Sequence, residues 1–218
     1  MVMAEATNHY FKHLGVSDGL SQVCIPSIYQ DELGAVWLGT TEGLNRYNGK
    51  DVKVFQPSES NNGLTNNEVN ELCGDKNGRM YIRSGNDLIK LDIYTEQFTC
   101  LRQKGVYGLF CKKDTLWVSC ADGIYYYTGQ GTELTFFARV QKGFVGRALY
   151  VDKETVWVVT RKYLVAISRE DPLRQEILLT LDKGNCILGD SSGNIWVGAW
   201  NGLYRISPDR ETTAYVSH

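Results

Sequence analysis

An all-β fold, a β-propeller of about five four-stranded blades forming part of a larger ring, follows from three observations. The first is a phase that survives changes in repeat length. Aromatic residues stand at Trp37, Tyr81, Trp117, Trp157 and Trp196, spaced 44, 36, 40 and 39 residues apart. Seven residues after each comes Leu44, Leu88, Ile124, Leu164 or Leu203. The second is turn chemistry ahead of the aromatic. Asp31, Asp75 and Asp190 precede it by six residues, and Gly34, Gly78 and Gly193 by three. Asp caps such a turn with its carboxylate, and Gly takes the left-handed position. The third is that the residues beside each aromatic are aliphatic: Val36 and Leu38, Met80 and Ile82, Leu116 and Val118, Val156 and Val158, Ile195 and Val197. Neighbours on a strand face opposite ways, so these strands are apolar on both sides and need cover on both. Four-stranded repeats of about 40 residues packed face to face provide it.

Each element then has its reason. In the first copy, strands are predicted at about 25–30, 35–40, 43–48 and 51–56, joined by hairpin turns. Ile28, Leu72, Leu109, Leu149 and Ile187 mark the strand entering each repeat. The third and fourth copies shorten the turn, at Lys113-Asp114-Thr115 and Lys153-Glu154-Thr155. Blades are expected over about 9–56, 57–101, 102–138, 139–181 and 182–218, with residues 1–8 outside the fold and disordered. One extended segment is surplus: His9-Tyr10-Phe11-Lys12-His13 precedes the first blade, while Thr213-Ala214-Tyr215-Val216 already completes the last. Five full blades and a spare strand imply a partial propeller. Its two end faces would be uncovered, and self-association is expected to hide them.

Composition agrees and excludes much else. The chain has 218 residues, 22 Gly, 4 Pro and a net charge of −2. No basic stripe of the kind that binds nucleic acid is present. No apolar run reaches the ~20 residues that cross a bilayer, and Met1–Ala6 lacks the apolar core of a signal peptide. Six cysteines (Cys24, Cys73, Cys100, Cys111, Cys120 and Cys186) show no C-x-x-C pair and no zinc-ligand spacing with His. Buried free thiols are expected, with a disulfide the alternative. No metal or cofactor is implied.

The run Asp18-Gly19-Leu20-Ser21, Ile28-Tyr29-Gln30-Asp31, Gly34-Ala35-Val36-Trp37-Leu38-Gly39-Thr40 and Glu42-Gly43-Leu44-Asn45-Arg46-Tyr47-Asn48-Gly49 closely resembles the two-component-regulator propeller repeat. Gly193 to Gly198 with Gly202-Leu203-Tyr204 resembles it again, while Tyr81, Asp87 and Tyr163 depart from the pattern. The resemblance covers about 13–210. It implies the N-terminal part of the periplasmic sensor of a hybrid two-component system, a fragment of a seven-bladed propeller. Fragments of glycans would be the input, and a kinase outside this chain the output. The remaining blades, that kinase and an oligosaccharide or other small ligand are the implied partners.

Propeller ligands sit over the central channel, on loops joining strand two to three and strand four to the next blade. Those loops are 40–42, 83–86, 120–122, 160–162 and 199–201, with 61–62, 66–68, 142–144 and 183–185. Trp200 lies off the repeat phase. It either stacks on a sugar ring or caps the core against a missing blade. Asn201 beside it would bond hydroxyls. Arg83, Asn86, Arg161 and Lys162 are further binding candidates, the cations suited to an acidic sugar or carboxylate. Glu42 and Asp122 are expected to bond their own turn backbone. The only histidines, His9, His13 and His218, are near the chain ends, so no loop offers the usual general base. A binding role is therefore read over catalysis. A protein-interaction scaffold is the alternative, and a lyase or hydrolase a less favoured one.

Overall fold

The computed structural model describes residues 13–57 and 63–215. They form five antiparallel four-stranded sheets, each with its strands in chain order. Blade one holds β1 (Ser27–Gln30), β2 (Val36–Thr40), β3 (Gly43–Tyr47) and β4 (Val52–Phe55). Blade two holds β5 (Val69–Gly74), β6 (Arg79–Ser84), β7 (Asp87–Asp92) and β8 (Gln97–Arg102). Blade three holds β9 (Val106–Lys112), β10 (Thr115–Cys120), β11 (Gly123–Tyr127) and β12 (Thr135–Ala138). Blade four holds β13 (Gly146–Val151), β14 (Thr155–Thr160), β15 (Tyr163–Ser168) and β16 (Gln175–Thr180). Blade five holds β17 (Cys186–Gly189), β18 (Ile195–Ala199), β19 (Gly202–Ile206) and β20 (Thr212–Tyr215). Most of the surplus segment at 9–13, and Val216, lie outside the described residues.

The first strands stand side by side, β1 by β5, β5 by β9, β9 by β13 and β13 by β17. The doubly apolar second strands explain this arrangement. All six residues of β14 are buried, because one face meets blade three and the other blade five. Each of the four blade junctions carries one core cluster. Trp37 and Leu44 meet Leu72, Met80 and Ile82. Tyr81 and Leu88 meet Leu109, Leu116 and Val118. Trp117 and Ile124 meet Leu149, Val156 and Val158. Trp157 and Leu164 meet Ile195, Val197 and Tyr204. So the aromatic and the Leu or Ile seven residues later form one face of a blade, and the aliphatic flanks of the next aromatic form the face it meets. Close approach requires glycine at Gly108, where a Cβ would lie 2.6 Å from the Arg147 carbonyl oxygen of the neighbouring blade.

Among the described residues the run of first strands is open, and no strand from one end completes the blade at the other. Ile28 on the outer face of blade one and Leu188 on that of blade five are 63% and 64% exposed. Leu203 and Tyr215 are exposed beside Leu188.

The cysteine expectation needs correction. All six are free, but Cys24, Cys100 and Cys186 are exposed, Cys73 and Cys111 half-buried, and Cys120 alone buried. They fall at different repeat phases, so nothing directs them to a common face. Cys100 lies on the fourth strand β8, and Cys186 opens β17.

Candidate functional site

The two predicted loop families meet at one end of the blades. Backbone hydrogen bonds join them: Gly85 N–H to Glu68 O at 2.7 Å, Ala121 N–H to Gly105 O at 2.8 Å, Gly184 N–H to Arg161 O at 3.1 Å, and Trp200 N–H to Asp182 O at 2.8 Å.

A repeated irregularity shapes this end. Near the start of β5, β9 and β13 one residue is skipped in the pairing with the second strand. Val69 pairs Ser84 and Glu71 pairs Arg83, leaving Asn70 out. Val106 pairs Cys120 and Gly108 pairs Ser119, leaving Tyr107 out. Gly146 pairs Thr160 and Ala148 pairs Val159, leaving Arg147 out. Such a bulge re-aims its side chain. Asn70 turns back to bond the Gly85 carbonyl at 3.3 Å. Tyr107 and Arg147 instead line a cavity.

That cavity, of about 380 Å³, lies between Tyr107, Phe144, Arg147, Arg161 and Lys162. A second, of about 430 Å³, is lined by Arg147, Arg161, Lys183, Asn185, Cys186 and Trp200. The two share Arg147 and Arg161 and form one groove over blades three to five. A smaller hollow at Ala121, Asp122 and Phe144 continues it across blade three. Phe144 is fixed by its ring contact with Tyr163, 4.8 Å between centroids. Lys183 Nζ sits 4.7 Å from the Trp200 ring centroid, and Trp200 remains 78% exposed. No carboxylate lines the two larger hollows. Among the described residues, Arg147, Arg161, Lys162 and Lys183 make no ion pair, in common with other surface cations such as Lys50 and Arg139, while Arg83 and Arg102 at the same end of the blades are paired. The Asn185 side-chain amide also has no bond among these residues, and its backbone N–H holds Gly198 O at 3.0 Å.

A cavity of about 490 Å³, larger than either of these, is at the opposite end of blades four and five, where Lys153, Arg169 and Arg210 mix with Glu154, Glu170 and Glu176. Its charges are partly spent on each other, as in the Arg210–Glu176 pair.

The predicted site residues therefore divide. Trp200, Arg161 and Lys162 come together. Asn201 lines neither main hollow; its amide donates to Tyr204 Oη at 2.7 Å and accepts Asp182 N–H at 3.3 Å, so it holds the loop that displays Trp200. Arg83 is paired with Glu71 at 3.3 Å and donates to Gly85 O. Burial raises the Glu71 pKa and Arg83 draws it back down. Asn86 accepts the Val106 N–H at 3.0 Å through its carbonyl and lines none of these hollows. Asp122 does not simply bond its turn. It accepts Arg102 at 2.7 Å and Tyr125 Oη–H at 2.9 Å. Burial opposes its charge, but these two donors hold its carboxyl below the ordinary range. Glu42 accepts the Asn67 amide at 3.5 Å. Tyr107 and Arg147 escaped the sequence reading because they sit within strands. The readable signal was the adjoining Gly108 and Gly146, since an isolated glycine in a strand marks a bulge.

Residues 19–42 match the two-component regulator propeller family. That stretch is the first, best-preserved copy of the repeat. Over 53 residues, 24% of its length, the chain is 40% identical to Histidine kinase P4 of Formosa agariphila, of which those residues make up 4%. The fold superposes on a protein described as the extracellular domain of a hybrid two-component system of B. thetaiotaomicron, with a TM-score of 0.81 and 21% identity. That match covers 94% of this chain and 32% of the other, so the chain spans about a third of its length. A streptogramin B lyase also superposes, with a TM-score of 0.69 and 18% identity over 90% of this chain and 70% of its own. These likenesses establish the β-propeller fold, shared by sensor domains and by an enzyme. No helix among the described residues is long and apolar enough to cross a membrane. Nor does any group of three or more His, Cys, Asp or Glu side chains among them suit a metal ion.

Proposed function

We propose that this chain is a ligand-binding segment of a periplasmic sensor in a hybrid two-component system, taking an oligosaccharide into the groove over blades three to five. The observation that carries the reading is the groove itself. It runs between the bulged Tyr107 and Arg147 and the exposed Trp200, with Asn185 between them. Flat aromatic faces suit the apolar faces of sugar rings, and a few convergent polar groups suit their hydroxyls. Its length across three blades favours several linked rings over one small molecule. The match at 19–42 and the likeness to the B. thetaiotaomicron sensor domain support the sensory role.

In this reading the signal passes to a kinase outside this chain. The outer faces of blades one and five, with Ile28, Leu188 and Leu203 exposed, take further blades. Binding is favoured over catalysis because Glu42 and Asp122, the acids on the candidate loops, lie on different blades and are each engaged by neighbouring side chains, and no carboxylate lines the two main hollows of the groove to serve glycoside hydrolysis there.

Thermal unfolding with a panel of neutral and acidic oligosaccharides tests the proposal. A ligand at a hundredfold excess over Kd adds about 2.7 kcal/mol of stability. The expected result is a rise in Tm with at least one oligosaccharide that is lost in Trp200→Ala. No rise with any member, and no change in tryptophan fluorescence, would contradict it.

A further inference from the structure

The groove's charge points beyond a generic sugar. We infer that its ligand is anionic, a glycan bearing carboxylate or sulfate groups, held by Arg147, Arg161 and Lys183 while an adjacent ring lies on Trp200. This rests on the oligosaccharide reading above and narrows it.

The chain carries a net charge of −2, yet four cations converge on one groove whose two main hollows no carboxylate lines. Like charges gathered without counter-ions repel one another, so their convergence favours an anion between them. Single unpaired cations such as Lys50, Lys113 and Arg139 occur elsewhere on the surface, but here four meet in one place, whereas Arg83 has Glu71, Arg102 has Asp122, and Arg46 and Lys53 share Glu96. Arg147 projects from the bulge that recurs in blades two to four, and blade four alone fills that position with a guanidinium. Arg161 comes from the β14–β15 turn, and its carbonyl accepts the Gly184 N–H at 3.1 Å, which ties it to the Lys183 loop. Three separate segments thus deliver cations to one place. Guanidinium forks match the two oxygens of a carboxylate or sulfate. Lys183 already lies over one face of the Trp200 ring at 4.7 Å, so an anion drawn to Lys183 would bring its attached ring beside the indole. Cys186, exposed and lining the same hollow, gives a built-in reporter.

The test uses the full chain and four probes: a neutral cello-oligosaccharide, an oligogalacturonate, a sulfated chondroitin oligosaccharide and free sulfate. Affinity is measured by calorimetry at two salt concentrations, and Cys186 alkylation by peptide mass spectrometry. The expected result is binding by the uronate or the sulfated glycan, weaker at high salt, with Cys186 protected. Which of the two binds identifies the anionic group. Arg147→Gln and Arg161→Gln each lower that affinity roughly ten- to hundredfold, while circular dichroism and Tm stay unchanged because both side chains are unpaired. Neutral glycan binding that depends on Trp200 but not on either Arg overturns the anionic assignment and leaves the oligosaccharide reading standing. Free sulfate binding as tightly as the sulfated glycan overturns the glycan and keeps only an anion site. No binding by any probe overturns both.

Discussion

The Trp37 indole N–H donates to Asp31 Oδ2 at 2.7 Å, across the turn that separates β1 from β2. The other carboxylate oxygen accepts the backbone N–H groups of Leu33 at 3.0 Å and Ala35 at 2.9 Å. Gly34 completes the turn at φ 86°. One buried Asp therefore fixes both the hairpin and the aromatic that cements the junction with blade two. Trp157 repeats the bond to Asp152 at 2.6 Å, and Trp196 to Asp190 at 2.9 Å. In blade two, where Tyr81 replaces Trp, Asp75 pairs with Arg79 instead.

From this, Asp31→Ala should destabilise the chain by about 2–3 kcal/mol, because it strands buried donors. Trp37→Ala should cost ~3–5 kcal/mol. The double variant should cost less than the sum, since the two share one bond. Urea unfolding followed by far-UV circular dichroism measures all three. Full additivity would show the bond to be idle.

The same motif sets an acid limit at blade five. Hydrogen bonds from the Trp196 indole and the Asn194 amide pull the Asp190 carboxyl down to about 2, from an ordinary 3.8. A depressed folded-state pKa adds stability above the unfolded value and loses it as pH falls through the folded one. Stability should therefore drop between about pH 4 and pH 2. Asp190→Asn should flatten part of that slope, as read from Tm against pH. An identical slope in the variant would count against it.

Thiol chemistry separates the cysteines. Burial pushes the Cys120 thiol up to about 12, partly offset by Arg102, and the side chain is shielded in the core of the junction between blades two and three. Alkylation at pH 8 should modify the exposed Cys24 and Cys186 first and reach Cys120 only on unfolding. Cys100 should lag, since burial raises its pKa as well. Early labelling of Cys120 would mean that this junction opens readily.

The uncovered faces of blades one and five predict self-association of the isolated chain. Leu188, Leu203 and Tyr215 present an apolar surface on one side and Ile28 on the other. Light scattering should show a mass that rises with concentration, and Leu188→Lys with Leu203→Lys should lower it. A strict monomer at high concentration would argue for a ring closed on five blades.

Much of the fold was legible because its forces are periodic. The aromatic at one phase and the aliphatic residues beside it reveal the two greasy faces directly, and Trp117 and Trp157 are indeed buried. Asp152 was missed because the shortened turn places it five residues ahead of Trp157 instead of six, although it makes the same bond. The site was less legible. Arg161 and Lys162 could be found from their loop, but nothing in the sequence shows that Arg83 is already held by Glu71, twelve residues away across a strand pair. Tyr107 and Arg147 hide inside strands whose pairing skips them, and only their neighbouring glycines hint at it.

The most direct measurement is hydrogen exchange of the whole chain with and without an acidic oligosaccharide. Slowed exchange at 106–108, 143–147, 160–162 and 183–186 is the predicted result, with 168–176 and 208–211 unchanged. Slowing confined to the latter segments, around the larger cavity at the other end of the blades, would contradict the assignment of the binding face.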